Sequence, residues 1–313
     1  DVPAEHETGP RPASTMASMS TSIRVRRERR LYQVAFAAAV VGTLLGINTM
    51  ILHLRSDPLV DIHAYYDAAT RLNQGLPLYA QAATTNDAEF YRYPPLLAVV
   101  FRPLALLRFE AAAAIWEIVV LSSMVATIAV LRPGRRGWLL FGMLALPIIW
   151  SLTIGQAQVP VTLLLAIGSP WSVALATNLK VFPALVAIWW IGRRDWRSLG
   201  RFAIWLAVLG VLQLALEPAG TLAYPSVFNL GQVGDVHNIS PYTFSPVVWA
   251  ALVVMGAVAA VRLAPSRWGW AAAVALSVLA SPRLLVYQLM TLVAGLRAPA
   301  DAPEAGADEA SVQ

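Results

Sequence analysis

The sequence predicts an all-α integral membrane protein that crosses the bilayer repeatedly, and three observations carry that prediction. Hydrophobic residues make up 58% of the 313-residue chain and charged residues 13%, with a mean hydropathy of +0.60. A soluble domain is about 45–50% apolar and about 25% charged, so this chain has too little charge to cover a water-facing surface. Apolar runs long enough to span a bilayer recur along it. The positive charge comes almost wholly from arginine, in short clusters between those runs; Lys180 is the only lysine. Such clusters follow the positive-inside pattern rather than nucleic-acid recognition, so no nucleic-acid partner is expected.

Residues 1–30 read as an irregular cytoplasmic tail ending in the basic anchor Arg24–Arg30. The apolar run 31–52, about 22 residues, is long enough to cross and leads outward. An outer loop at 53–93 follows, with five acids, three arginines and five tyrosines. From Pro94 to Leu107 the apolar run is short, about 21 Å as a helix, and Pro103 interrupts it; a re-entrant segment is expected. The run 110–131 crosses, which places Arg132, Arg135 and Arg136 on the cytoplasmic side. Next come a helix over 138–154, a path broken near Lys180 and Pro183, and the basic cluster Arg193–Arg201. A second outer loop at 217–246 and helices over 247–261, 268–280 and 284–297 complete a single transmembrane domain, 31–297. About eight crossings plus re-entrant or broken segments are expected, with an acidic irregular tail at 298–313. The location is the cell membrane, with the working face extracytoplasmic and membrane lipids as neighbours.

Chemistry is expected in the first outer loop. Asp57, Asp61 and Tyr65 share a four-residue spacing, one face of a helix if the stretch is helical. A carboxylate there suits a general base toward a sugar hydroxyl, or simply a solvated loop acid. Lys180 lies within an apolar segment, where a charge costs about 2.5–3.5 kcal/mol on insertion scales and therefore has a partner or a function. Arg283 follows Ser281-Pro282 between two apolar runs, and Arg92 lies between Tyr91 and Tyr93; interfacial anchoring is the plain alternative for both. Gln156 and Gln158 flank a helix end, where capping is the plain alternative. His237 and Asn238, in the second outer loop, suit sugar hydroxyls or turn backbone. Tyr65 and Tyr66 suit a sugar or headgroup lining. The absence of cysteine excludes disulfides and thiol nucleophiles, and no histidine pair has metal-ligand spacing.

Several fragments, in order, resemble glycosyltransferase family 87, polyprenyl-phosphate-mannose-dependent mannosyltransferases of the GT-C fold. They are DIHAYYDAATRLNQGLPLY (61–79), FYRYPPLLAVVFRPLALLRFEAAAAIW (90–116), IGQAQ (154–158), NLKVFPALVAIWWIGRRDWR (178–197), HNIS (237–240) and SPRLLVY (281–287). The resemblance implies a GT-C-like helical bundle that transfers a sugar, mannose before others, from a polyprenyl-phosphate donor to a glycolipid or polysaccharide acceptor. It makes Asp61 the base of an inverting displacement. Lys180, with Arg283 second, would stabilise the leaving phosphate, and neither a metal nor another cofactor is called for. Two other readings stay open: a transporter or flippase of lipid-linked sugars, suggested by the broken helices, and an inactive family member, suggested by the short interval between Gln158 and Lys180.

Overall fold

The computed structural model describes residues 13–56, 58–79, 91–227 and 238–297, with side chains from residue 26 onward apart from residue 27. Every regular element among the described residues is helical. Helix α1 (Ala13–Ser56) starts within the segment expected to be irregular and runs on through the arginine cluster. Its apolar part, Glu28–Ser56, is long enough to cross a membrane, as are three later helices: α4 (Phe109–Leu131), α10 (Trp196–Leu216) and α13 (Pro246–Leu263). Between 6 and 22% of each of these windows is buried inside the protein, so most of the apolar surface faces outward, as lipid contact requires. Helices α5 (Arg135–Met143) and α6 (Ala145–Thr153) make a fifth span if taken together, bent by 62° at Leu144.

Four or five helices therefore have the length to cross, where about eight crossings were expected. The difference lies in the last third and the middle of the chain. The runs 268–280 and 284–297 form the 11-residue helix α14 (Gly269–Leu279) and an 11-residue 3-10 segment, Val286–Leu296. Each is about 16–22 Å long, less than the roughly 30 Å of hydrocarbon. The re-entrant reading of 94–108 matches a short helix α3 (Pro95–Phe101) followed by a 3-10 turn, Leu104–Leu106. The break at Lys180 is also present. After α7 (Gln158–Ile167), α8 (Pro170–Leu179) stops one residue before the lysine; a 3-10 turn (Phe182–Ala187) carrying Pro183 leads into α9 (Ile188–Arg193).

Helix starts and stops follow local chemistry. Ser169 and Ser172 form a reciprocal capping box at α8, and Asp195 Oδ1 accepts from the Ser198 amide, 3.0 Å, at α10. Helix α4 ends on Arg132 in the left-handed region, with Pro133 after it. Helix α1 lies against α5 and α6 at very short range: a Cβ on Gly42 would come 2.7 Å from the Gly142 carbonyl oxygen, and one on Gly46 3.0 Å from that of Ala145. The stretch Gly42–Gly46 is a GxxxG pattern, whose small residues allow this approach.

These contacts define two ends. At one, Arg135 Nε donates to Tyr32 Oη at 3.1 Å, so the α4–α5 turn with Arg132, Arg135 and Arg136 sits beside the arginine-rich start of the first span. Leu296 packs beside Gly137 at the same end. At the other end His53 and Trp150 rings lie 5.3 Å apart, and Ser151 Oγ donates to the Tyr287 carbonyl. The short helix α2 (Val60–Asn73) follows α1 at this second end and packs on α3 and α4.

Candidate active site

The site is assembled on α2, whose buried face carries Ile62, Tyr65, Ala68, Ala69 and Leu72, a helical spacing that seats it on Phe101, Ala113 and Trp116. Asp61 stands in its first turn, one helical turn before Tyr65. Four-residue spacing thus does place Asp61 and Tyr65 on one face; Asp57 lies outside the described residues. Tyr65 is fully buried, with the rings of Phe101 and Trp116 at 5.4 and 6.0 Å.

Gln156 is the hub. Its Oε1 accepts hydrogen bonds from both Tyr65 and Tyr93, each 2.8 Å, and its side chain is wholly buried. That pairing fixes which way the amide faces. Nε2 has no hydrogen bond of ordinary geometry, yet it is near enough to the Asp61 carboxyl to favour its ionised form. The backbone is shaped to present it. Gly155 has φ +67, and a Cβ there would lie 2.3 Å from Ile62 and 2.8 Å from Glu117, so only glycine fits the turn. Trp116 Nε1 holds the Gly155 carbonyl at 2.7 Å, and the Ala157 amide donates to Tyr65 Oη at 3.1 Å.

Lys180 enters from the break after α8. Its Nζ donates to Gln158 Oε1 and lies 5.2 and 5.3 Å from the ring centroids of Tyr93 and Tyr287. Gln158 Nε2 donates to Thr291, whose hydroxyl also meets Thr162 at 2.9 Å. A buried polar chain on three segments thus fixes the one lysine. Arg283 is presented by a turn that Asn238 clamps: its Nδ2 donates to the Pro282 carbonyl, 3.0 Å, and its Oδ1 accepts from the Ser240 and Leu284 amides, 2.9 Å each.

Lys180, Arg283 and Arg92 all act electrostatically on Asp61. Burial is the larger influence and pushes the Asp61 carboxyl up to about 7; the Lys180 and Arg283 charges, the Gln156 amide and the Arg92 charge pull it back. A carboxylate that ionises near neutrality, facing three cations, has the properties of a general base beside an anion-binding surface.

Of the residues singled out in the sequence, Asp61, Tyr65, Arg92, Gln156, Lys180 and Arg283 come together. Tyr66 points elsewhere: its hydroxyl donates to the Leu107 carbonyl at 2.7 Å and its ring packs on Phe109. Asn238 holds backbone at the Arg283 turn, and His237 lies outside the described residues. Sequence reasoning noted Gln158 only at a helix end, left it out of the site, and passed over Thr162 and Thr291. Gln158 and Thr162, four apart on α7 in an otherwise apolar run, carried a signal; Thr291 had none beyond being polar. Among the described residues no group of three His, Cys, Asp or Glu is placed to hold a metal ion.

The family model described as Glycosyltransferase family 87 matches residues 90–294, a segment that holds Arg92, Gln156, Lys180 and Arg283 and begins after Asp61. The chain is 28% identical over 236 residues to the polyprenol-phosphate-mannose-dependent alpha-(1-2)-phosphatidylinositol pentamannoside mannosyltransferase of Mycolicibacterium smegmatis, covering 68% of this chain and 56% of that protein. It is 25% identical over 230 residues to the protein of the same description from Mycobacterium tuberculosis, covering 64% and 53%. A third relative, the polyprenol-phosphate-mannose-dependent alpha-(1-2)-phosphatidylinositol mannoside mannosyltransferase of Mycolicibacterium smegmatis, is 28% identical over 212 residues, covering 56% and 48%. The chain spans about half the length of these curated relatives. No solved structure matches it.

Proposed function

This chain belongs to glycosyltransferase family 87, and from that premise we propose that it transfers mannose from a polyprenyl-phosphate donor to an acceptor of the phosphatidylinositol mannoside class. The observation that carries this reading is the convergence of one acid, Asp61, and three cations, Lys180, Arg283 and Arg92, around Gln156. The relatives' names supply the donor and acceptor classes.

In this mechanism the acceptor hydroxyl oxygen attacks the anomeric carbon in line with the sugar–phosphate bond. Asp61 takes the hydroxyl proton as the new carbon–oxygen bond forms. The bond to phosphate breaks, and its electron pair leaves on the polyprenyl phosphate, where Lys180 and Arg283 meet the growing negative charge. In-line displacement inverts the anomeric centre, so an α-linked product requires a β-linked donor. Gln156 orients Asp61, and the tyrosine bonds to its Oε1 hold Gln156 in turn. The site lies at the end of the bundle away from the arginine clusters; with arginine inside, it faces the extracytoplasmic side.

The test supplies membranes containing the wild-type chain or Asp61→Asn with labelled polyprenyl-phosphate mannose and a phosphatidylinositol mannoside acceptor. Transfer by wild type and a fall of about 100-fold or more in the variant is the expected result, the usual scale for a lost general base. Equal transfer by both removes Asp61 as the base. Binding of the donor without transfer by either points to carriage of the lipid-linked sugar instead.

A further inference from the structure

At the arginine-rich end, away from Asp61, a second cationic site is built on tryptophan. Arg297, the residue that ends the Val286–Leu296 segment, places its Cζ 4.7 Å from the ring centroid of Trp270 and 5.9 Å from that of Trp189. The two indoles meet edge to face at 5.1 Å and are almost wholly buried. Trp270 is itself fixed, since its Nε1 donates to the Ala294 carbonyl at 3.0 Å. Arg193, at the end of α9, lies over the same Trp189, with its Cζ 5.1 Å from the ring centroid. Two guanidinium groups therefore share one aromatic wall.

The protein does not neutralise Arg297. Its Nη1 is buried with no hydrogen-bond partner, and no carboxylate among the described residues pairs with it. Burial pulls its proton affinity down, and no neighbouring acid opposes that. Arg297 as a whole is only partly buried. The packing behind it is tight. Gly168 has φ +59, and a Cβ there would come 2.8 Å from Arg297 Cζ and Nε and from Trp270. Glycine at this turn lets the backbone close on the back of the arginine. A buried unpaired donor asks for an explanation, and a rigid planar fork stacked on aromatic rings beside a second cation is the usual form of a phosphate receptor.

We propose that Arg297 and Arg193, on the Trp189–Trp270 wall, bind the phosphate headgroup of an anionic membrane lipid. A lipid source fits the position: Arg297 follows Leu296, which packs beside Gly137 and the turn bearing Arg132, Arg135 and Arg136, the end that meets the anionic cytoplasmic leaflet under the positive-inside rule. This site does not depend on the catalytic assignment at Asp61.

The experiment uses the full chain, purified in neutral detergent, and measures thermal stability and lipid retention by native mass spectrometry. Phosphatidylglycerol, phosphatidylcholine and inorganic phosphate are added separately to wild type, Arg297→Gln and Arg193→Gln. Phosphatidylglycerol should bind and stabilise wild type, with affinity falling about tenfold or more in each variant, the scale of one charge-assisted hydrogen bond. Equal effects of phosphatidylglycerol and inorganic phosphate would reassign the site to a soluble phosphate and overturn the lipid. Absence of phosphatidylglycerol binding by wild type, or undiminished binding by the variants, overturns the site itself. Arg193 lies at a helix end, so Arg193→Gln decides the matter if Arg297→Gln fails to fold.

Discussion

The role proposed for Asp61 is proton transfer, so its environment would set a pH profile. Burial holds its carboxyl near 7. A base must be ionised to act, while Lys180, which burial pulls down to about 7, must keep its proton to act as a cation. Transfer should therefore rise with pH below 7 and fall again above it; initial rates between pH 5 and 9 would show this. A rate flat across that range would remove Asp61 as the titrating base. Lys180 gives a second residue-scale prediction. Lys180→Met should lower kcat by about 100-fold while Lys180→Arg recovers part of it, because the cation acts on charge formed at the leaving phosphate. A rise in KM alone would place Lys180 in ground-state binding instead. Asp61 and Lys180 were legible in the sequence because each is a charge where the pattern has little reason to keep one. Gln158 and Thr291 were harder to see, since uncharged polar residues inside apolar runs commonly bond their own helix, and their pairing joins segments 133 residues apart.

The elements that carry these side chains are mostly short, and their placement depends on turns more than on helix length. Gly155 is the sharpest case. Gly155→Ala would drive a methyl group into Ile62 while forcing alanine into the left-handed region. The expected outcome is loss of transfer together with a fall in melting temperature in detergent; an unchanged protein would show that the turn relaxes freely. Capping should matter less. Asp195→Ala removes the acceptor for the Ser198 amide at the start of α10 and should cost about 1 kcal/mol of stability with transfer preserved. The broken segment at Lys180 was readable from Pro183 and the short run before it. The 62° bend at Leu144 was passed over, although Pro147 cannot donate to the Met143 carbonyl and Gly142 stands just before the break. The lengths of the last helices were overestimated because apolar composition reports burial in lipid or protein alike, and does not say where a helix stops.

For the whole molecule the orientation is the quantity to test. Cysteines placed at Gln74 and Gly134 of this cysteine-free chain should react with membrane-impermeant reagent from opposite sides of sealed vesicles; labelling from one side would break the assignment of the site to the outer face. The basic clusters carry this expectation, and the Arg135–Tyr32 contact puts two of them at one end. The close seat of α1 was passed over, although the GxxxG at Gly42–Gly46 carried its signal.

The segment Val286–Leu296 joins the surroundings of Lys180 to the tryptophan wall under Arg297. Wound as a 3-10 helix, it turns by about 120° per residue and reaches about 22 Å, some 5 Å farther than an α-helix of the same length. Along it Tyr287 stands beside Lys180, Thr291 bonds the Gln158 that holds Lys180, and Arg297 follows its far tip. It therefore acts as a phased axle: the bearing of Arg297 about its axis is tied to that of Thr291. One alanine inserted after Leu292 would rotate the arginine by a third of a turn off its tryptophan wall while Thr291 stayed in place. Lipid retention should then be lost and mannose transfer kept, a separation that no substitution at either tip would report so directly.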